Sequence, residues 1–211
     1  DIPLEVASIL GCGVLTGFGA VTNTVEISPG SIVAVMGCGG GGINSIQAAA
    51  YRGASCVIAI DVLDQKLEQA LRFGATHTVN SSLPTFVDDV LGLSGGRGAD
   101  YVFVTVGAKS AIKQSLEILG RVGTTVIVGM PASEVSAEYD PGDLASKGQS
   151  IVGSKMGSSS VSRDIPKLVA LYQQGDLKLD ELVSQRFSLE NINEAIASVK
   201  RGEALRNLVV F

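Results

Sequence analysis

The tightest constraint in this chain is a run of glycines, Gly37-Cys38-Gly39-Gly40-Gly41-Gly42, set directly after an apolar, β-branched stretch, Ser31–Met36, and at the opening of a helix-patterned one. A chain turns that sharply from strand to helix only where side chains are missing. In a G-x-G-x-x-G loop with this context Gly37 permits the tight turn, Gly39 lets a pyrophosphate approach the backbone, and Gly42 lets the helix pack closely on the sheet. Gly40 belongs to the same cradle, and the phosphates would rest on the helix N-terminus. A second apolar run, Ser55–Ile60, is followed by Asp61, 19 residues after Gly42. A carboxylate there is placed to accept hydrogen bonds from ribose hydroxyls and repels a 2′-phosphate. Val62 and Leu63 supply no arginine, so NAD is favoured over NADP. Lys66, one helical turn on, either reaches the same ribose or stands as a solvated helix-face charge. Methyltransferases that bind S-adenosylmethionine share this loop and acidic residue and remain an alternative. They commonly place an acidic residue before the glycines, where this chain has Val35-Met36, and an antiparallel hairpin that the tail does not suggest.

Around the loop, short apolar runs alternate with helix-patterned stretches, which predicts an α/β, Rossmann-type doubly wound sheet of six parallel strands. The strands are expected at Ser31–Met36, Ser55–Ile60, Thr76–Val79, Asp100–Thr105, Thr124–Val128 and Ser150–Val152, with helices near 42–52, 63–73, 84–92, 109–120 and 142–147. Beyond Pro166 the pattern predicts a helix over Lys167–Gln174, a segment Leu182–Phe187, a helix near Glu190–Arg201 and a final strand Arg206–Phe211. The chain thus divides into a lead-in segment 1–30 with no sheet position to occupy, a dinucleotide-binding domain 31–155 and a tail 156–211 too small for a core of its own.

Charge excludes some partners. The net charge of −5 argues against a basic nucleic-acid binder. Val6–Val25 is uncharged, but Gly11, Gly13, Gly17, Gly19 and several hydroxyl residues argue against a membrane span, and Asp1 and Glu5 stand where a secretory leader would be basic. Three cysteines without a CxxC suit a reducing compartment, with the cytoplasm as the expectation. An opening at Asp1 without an initiator Met suggests a piece of something longer.

Leu10–Ala20 (LGCGVLTGFGA), Pro29-Gly30, the glycine loop, Asp61, Phe73–Thr76 (FGAT), Val128-Gly129 and the ending Ile192–Ala195 with Gly202–Arg206 together resemble the medium-chain zinc-dependent alcohol dehydrogenases. The likeness runs in order through nearly the whole chain and corresponds to the second part of such an enzyme, after its GroES-like barrel. It implies hydride transfer between a small-molecule alcohol and NAD, giving an aldehyde or ketone, in a homodimer or homotetramer. On its own Cys12 reads as an ordinary buried thiol; the resemblance makes it a catalytic zinc ligand, the other Cys and the His belonging to the barrel. The resemblance further implies that Thr16 packs beside the nicotinamide and that Arg206 pairs with the pyrophosphate, where the bland readings are a helix residue and a solvated charge. Val106, Gly107, Val128 and Gly129 would line the nicotinamide crevice at the ends of the fourth and fifth strands. Gly41 departs from the family, which commonly has an apolar side chain behind the nicotinamide; its loss loosens or enlarges that pocket. His77, Cys38 and Cys56 read as structural. The second functional reading is a module that holds NAD without catalysis, motivated by the single zinc ligand.

Overall fold

Strands that are apolar on both faces need helices on both faces, and that requirement builds the architecture. The computed structural model describes residues 2–211, so the acidic start read at Asp1 lies outside the described residues. Among those residues the strands β1 (Ile32–Met36), β2 (Cys56–Asp61), β3 (His77–Asn80), β4 (Ala99–Val104), β5 (Leu119–Ile127) and β6 (Ser150–Gly153) form one parallel sheet in the order β3-β2-β1-β4-β5-β6. All six expected strands are present. Alternation divides the central strands between two cores: Val33 and Val35 of β1 join Val57, Ala59 and Phe103 on one face, while Ile32, Ala34 and Met36 join Ile58, Ile60 and Val102 on the other.

The stretch read only as a lead-in is a helical run from Leu4 to Thr24. It comprises α1 (Leu4–Ile9), a π-helical turn over Leu10–Val14, α2 (Leu15–Gly19) and a second π turn over Ala20–Thr24. The run is long and apolar enough to cross a membrane, yet its apolar face has a partner. Val14, Ala20 and Val21 are wholly buried in the same cluster as Ile43 and Ile46 of α3 (Gly40–Tyr51). Backbone meets backbone here, since a Cβ on Gly17 would lie 2.1 Å from the Gly41 carbonyl oxygen. The remaining crossover helices are α4 (Asp64–Arg72), α5 (Phe86–Leu93), α6 (Lys109–Glu117) and α7 (Pro141–Lys147). The helix expected over 109–120 stops at Glu117 because Leu119 already belongs to β5.

The tail adds α8 (Val161–Gln174), a parallel pair of β7 (Val183–Ser188) with β8 (Arg206–Val210), and α9 (Ile192–Lys200) between them. Leu168, Leu177, Leu179, Leu182, Leu205 and Leu208 bury in the same cluster as Val33 and Ile43. The helix expected to begin after Pro166 begins at Val161 and carries the proline inside it. The ring removes one N–H bond, and the turn before it is fixed by other means. Asp164 Oδ2 accepts from the Ser160 N–H at 2.8 Å, and Arg163 donates to both carboxylate oxygens at 2.9 Å. Asn23, in the second π turn, donates to Asp164 at 3.4 Å and so ties the two helical ends together.

Those donors, Arg163 first, hold the Asp164 carboxyl well below the usual carboxylate range. A lowered folded-state pKa gives stability that is complete above the unfolded value of about 4 and is lost as pH falls below it. Asp164→Asn should therefore lower unfolding stability by about 1–3 kcal/mol at pH 7. In denaturant titrations the gap between wild type and variant should close as pH falls below ~4.

Candidate functional site

Parallel strands deliver their carboxyl ends to one edge of the sheet, and the glycine loop leaves β1 there. Gly37 has φ +94°, a left-handed turn open to glycine, and its N–H donates to the Ile60 carbonyl at 2.7 Å. Gly42 is fixed by contact: a Cβ there would lie 1.7 Å from the Gly37 carbonyl oxygen. That close approach brings the first turn of α3 onto the end of β1. Gly39 is the N-cap of α3 and has open space around its missing side chain, as has Gly41.

Asp61 closes β2 with its carboxylate already engaged. Oδ2 accepts from the Cys38 N–H at 2.7 Å, and Oδ1 accepts from the Val62 and Leu63 N–H groups at 2.8 and 3.1 Å. It thereby ties the glycine loop to the end of β2, a role the sequence reading did not include. Thr105, also missed, sets its hydroxyl 3.0 and 2.8 Å from the Met36 and Gly37 carbonyl oxygens, from just beyond β4. Asp61 also lines a cavity of about 260 Å³ with Gly37, Ile60, Val62, Val106 and Ser110. Lys66, in α4, sets its Nζ 3.6 Å from where a Cβ on Gly202 would stand.

Arg206 stands at the start of β8. Its guanidinium lies across Gly13 and Gly40, where a Cβ on Gly40 would come within 2.3 Å of Cζ. It is not the solvated charge of the bland reading, and burial pulls its pKa below the ordinary guanidinium value. One N–H donates to the Leu205 carbonyl at 3.2 Å, and among the described residues no carboxylate pairs with it. A half-buried cation thus faces the positive end of α3 without an anion. That arrangement is repulsive as it stands and becomes favourable once a bridging anion such as a pyrophosphate enters.

Cys12 lies beside this cation in the first π turn and is exposed, against the buried-thiol reading. Thr16, on α2, sets its hydroxyl 3.8 Å from the Met156 sulfur. Met156, Gly157 and Ser158 have φ of +52°, +67° and +50°. The turn is clasped by Thr24 Oγ1 to Ser158 Oγ at 2.9 Å and by Asn23 Nδ2 donating to the Gly157 carbonyl at 3.4 Å. Gly107 and Gly129, just past β4 and β5, pack loop on loop: a Cβ on Gly107 would lie 2.5 Å from the Met130 carbonyl oxygen, and one on Gly129 2.5 Å from the Val106 carbonyl carbon. Val128 is buried in the core, one residue beyond β5, and Val106 also lines the Asp61 cavity. His77 begins β3 at the opposite edge, with Nδ1 2.9 Å from Thr76 Oγ1 and 3.6 Å from Cys56 Sγ.

A family profile described as zinc-binding dehydrogenase matches residues 40–174. An NDMA-dependent alcohol dehydrogenase of Amycolatopsis methanolica is 36% identical over 212 residues, covering 99% of this chain and 57% of its own length. Among solved structures, benzyl alcohol dehydrogenase from Acinetobacter calcoaceticus superposes with a TM-score of 0.94 at 35% identity, covering 98% of this chain and 57% of the other. An alcohol dehydrogenase zinc-binding domain protein from Burkholderia ambifaria gives 0.93 at 38% identity, with coverages of 98% and 55%. The chain therefore spans a little over half the length of the relatives it matches.

The three cysteines should separate by reactivity. Cys38 is wholly buried, and burial, with Asp61 beside it, pushes its thiol up to about 12; Cys56 is 9% exposed. Alkylation at pH 8 followed by peptide mass spectrometry should modify Cys12 alone in the folded chain and all three after denaturation. Early labelling of Cys38 would contradict the loop geometry.

Proposed function

The chain belongs to the zinc-binding dehydrogenase family, and from that premise we propose that it is the cofactor-holding part of an NAD-dependent alcohol dehydrogenase acting on small-molecule alcohols and aldehydes. The observation that carries the reading is the unpaired Arg206 guanidinium facing the N-terminus of α3 across Gly40. Arginine suits that place, since its planar donors bind phosphate oxygens in pairs. Asp61 orients the adenosine ribose while its backbone contacts keep the glycine loop in register, and the cavity bounded by Val62, Val106 and Ser110 takes the adenine. The carboxylate disfavours a 2′-phosphate, which supports NAD over NADP. Thr16 and Cys12 border the nicotinamide end, and open space at Gly41 leaves room on that ring's far side. Bound there, NAD supplies hydride acceptance; the chain supplies its position.

Zinc is a different matter. A catalytic zinc takes about three protein ligands, and among the described residues no three His, Cys, Asp or Glu side chains are grouped to hold a metal. Cys12 would contribute one ligand to a centre whose other ligands lie outside these residues. The same observation favours the second reading for the chain taken alone, a module that binds NAD without turnover. The outer strand β6, left with an open edge, and three unpaired cysteines support a homodimer or homotetramer in the cytoplasm.

Calorimetry on the 211-residue chain should show NADH binding, with NADPH weaker and no alcohol oxidation. Arg206→Ala should weaken NADH about ten- to hundredfold, the loss of charge-assisted hydrogen bonds, without lowering the melting temperature, because the cation has no anionic partner in the empty site. Unchanged affinity would sink the pyrophosphate role. In the full-length enzyme, Cys12→Ser should lose zinc by metal analysis and lose turnover while NADH binding persists.

A further inference from the structure

Behind the glycine loop, a line of buried amides makes hydrogen bonds that cofactor binding does not directly use. Gln47, on α3, is 5% exposed, and Asn44, one turn earlier, is fully buried. Gln47 grips both backbone groups of Lys178 in the connection after α8. The Lys178 N–H donates to Oε1 at 2.8 Å, and Nε2 donates to the Lys178 carbonyl at 3.1 Å. Nε2 also donates to Asn44 Oδ1 at 3.2 Å, and Asn44 Nδ2 donates to the Gly40 carbonyl at 2.7 Å.

This line has a direction. One peptide offers one donor and one acceptor, so a single orientation of the Gln47 amide satisfies Lys178. That orientation aims the Gln47 NH₂ at Asn44, which must then present its oxygen and turn its own NH₂ to Gly40. The Lys178 peptide is itself clamped, because Leu177 and Leu179 on either side are 2% and 0% exposed in the core. Gly40 is the residue across which the Arg206 guanidinium lies.

Resting on the dinucleotide reading, we propose that Gln47 is a positioning residue. It relays the docking of the segment after α8, through Asn44, to the carbonyl of Gly40, and so holds the phosphate-facing first turn of α3 in its binding geometry. Dinucleotide affinity then depends on a tail segment that never touches the ligand.

Amide hydrogen exchange by mass spectrometry and NADH titration on the chain test this with three variants. Gln47→Met keeps the volume and removes the amide; it should speed exchange both at 177–179 and across the first turn of α3, and raise the NADH Kd about fivefold or more. Asn44→Ala breaks only the last link, so exchange should quicken at α3 and not at 177–179. Ile46→Val trims one methyl from the same helix and should lower the melting temperature while leaving both readouts at wild-type values. Unchanged exchange in the first turn of α3 in either amide variant overturns the relay, as does an unchanged Kd in a wild-type chain that binds NADH. If the wild-type chain fails to bind NADH, the dinucleotide reading fails, and the exchange pattern alone then decides the relay.

Discussion

Everything at the sheet's carboxyl edge depends on how closely the first turn of α3 approaches the end of β1. With Gly42 against the Gly37 carbonyl there is no room for a Cβ between strand and helix. The loop that results is held from outside its own sequence. Asp61 holds it from β2 and Thr105 from just beyond β4. Neighbouring strands thus build a cradle that no single segment could form, and they build it before any ligand arrives. Preorganisation of this kind reduces the ordering cost of binding.

The charge balance of the site is completed by the far end of the chain. Arg206 enters from β8 and is left without a carboxylate, while Arg163, Arg186 and Arg201 all have one. Arg52, Arg72, Arg97 and Arg121 also make no ion pair among the described residues, but Arg206 is the one set against the first turn of α3 with its pKa pulled down by burial, and burying an unpaired cation against a helix's positive end opposes folding. The tail is therefore not an accessory to the sheet: it brings the counter-charge for an anion and, through Lys178, a grip on the helix that receives it.

The glycine loop, Asp61 and the six strands were legible in the sequence because composition and continuous apolar runs are local properties. The helical run from Leu4 to Thr24 was less so: it is rich in glycine and derives its stability from burial against α3, which no window of sequence displays. Pro166 misled for a related reason, since a proline breaks a helix only where nothing else fixes the turn, and Asp164 fixes it. Cys12 and Arg206 were legible only through family resemblance. Thr105, Asn44 and Gln47 were not legible at all, because each acts on a backbone group whose identity as a partner depends on the fold, in Gln47's case a residue 131 positions away.

The clasped turn at Met156–Ser158 carries a consequence of handedness. Its three successive residues have the backbone sense of a mirror-image helix, which costs a natural side chain roughly 1–2 kcal/mol each at Met156 and Ser158. What keeps it wound that way is the carboxyl end of the N-terminal helical run, through Asn23, Thr24 and the carbonyls of Leu15 and Thr16 pressed against Gly157. Removed from that helix, the segment would be free to relax to the ordinary hand. The stretch bearing Cys12 and Thr16 and the turn beneath it are thus two halves of one chiral latch.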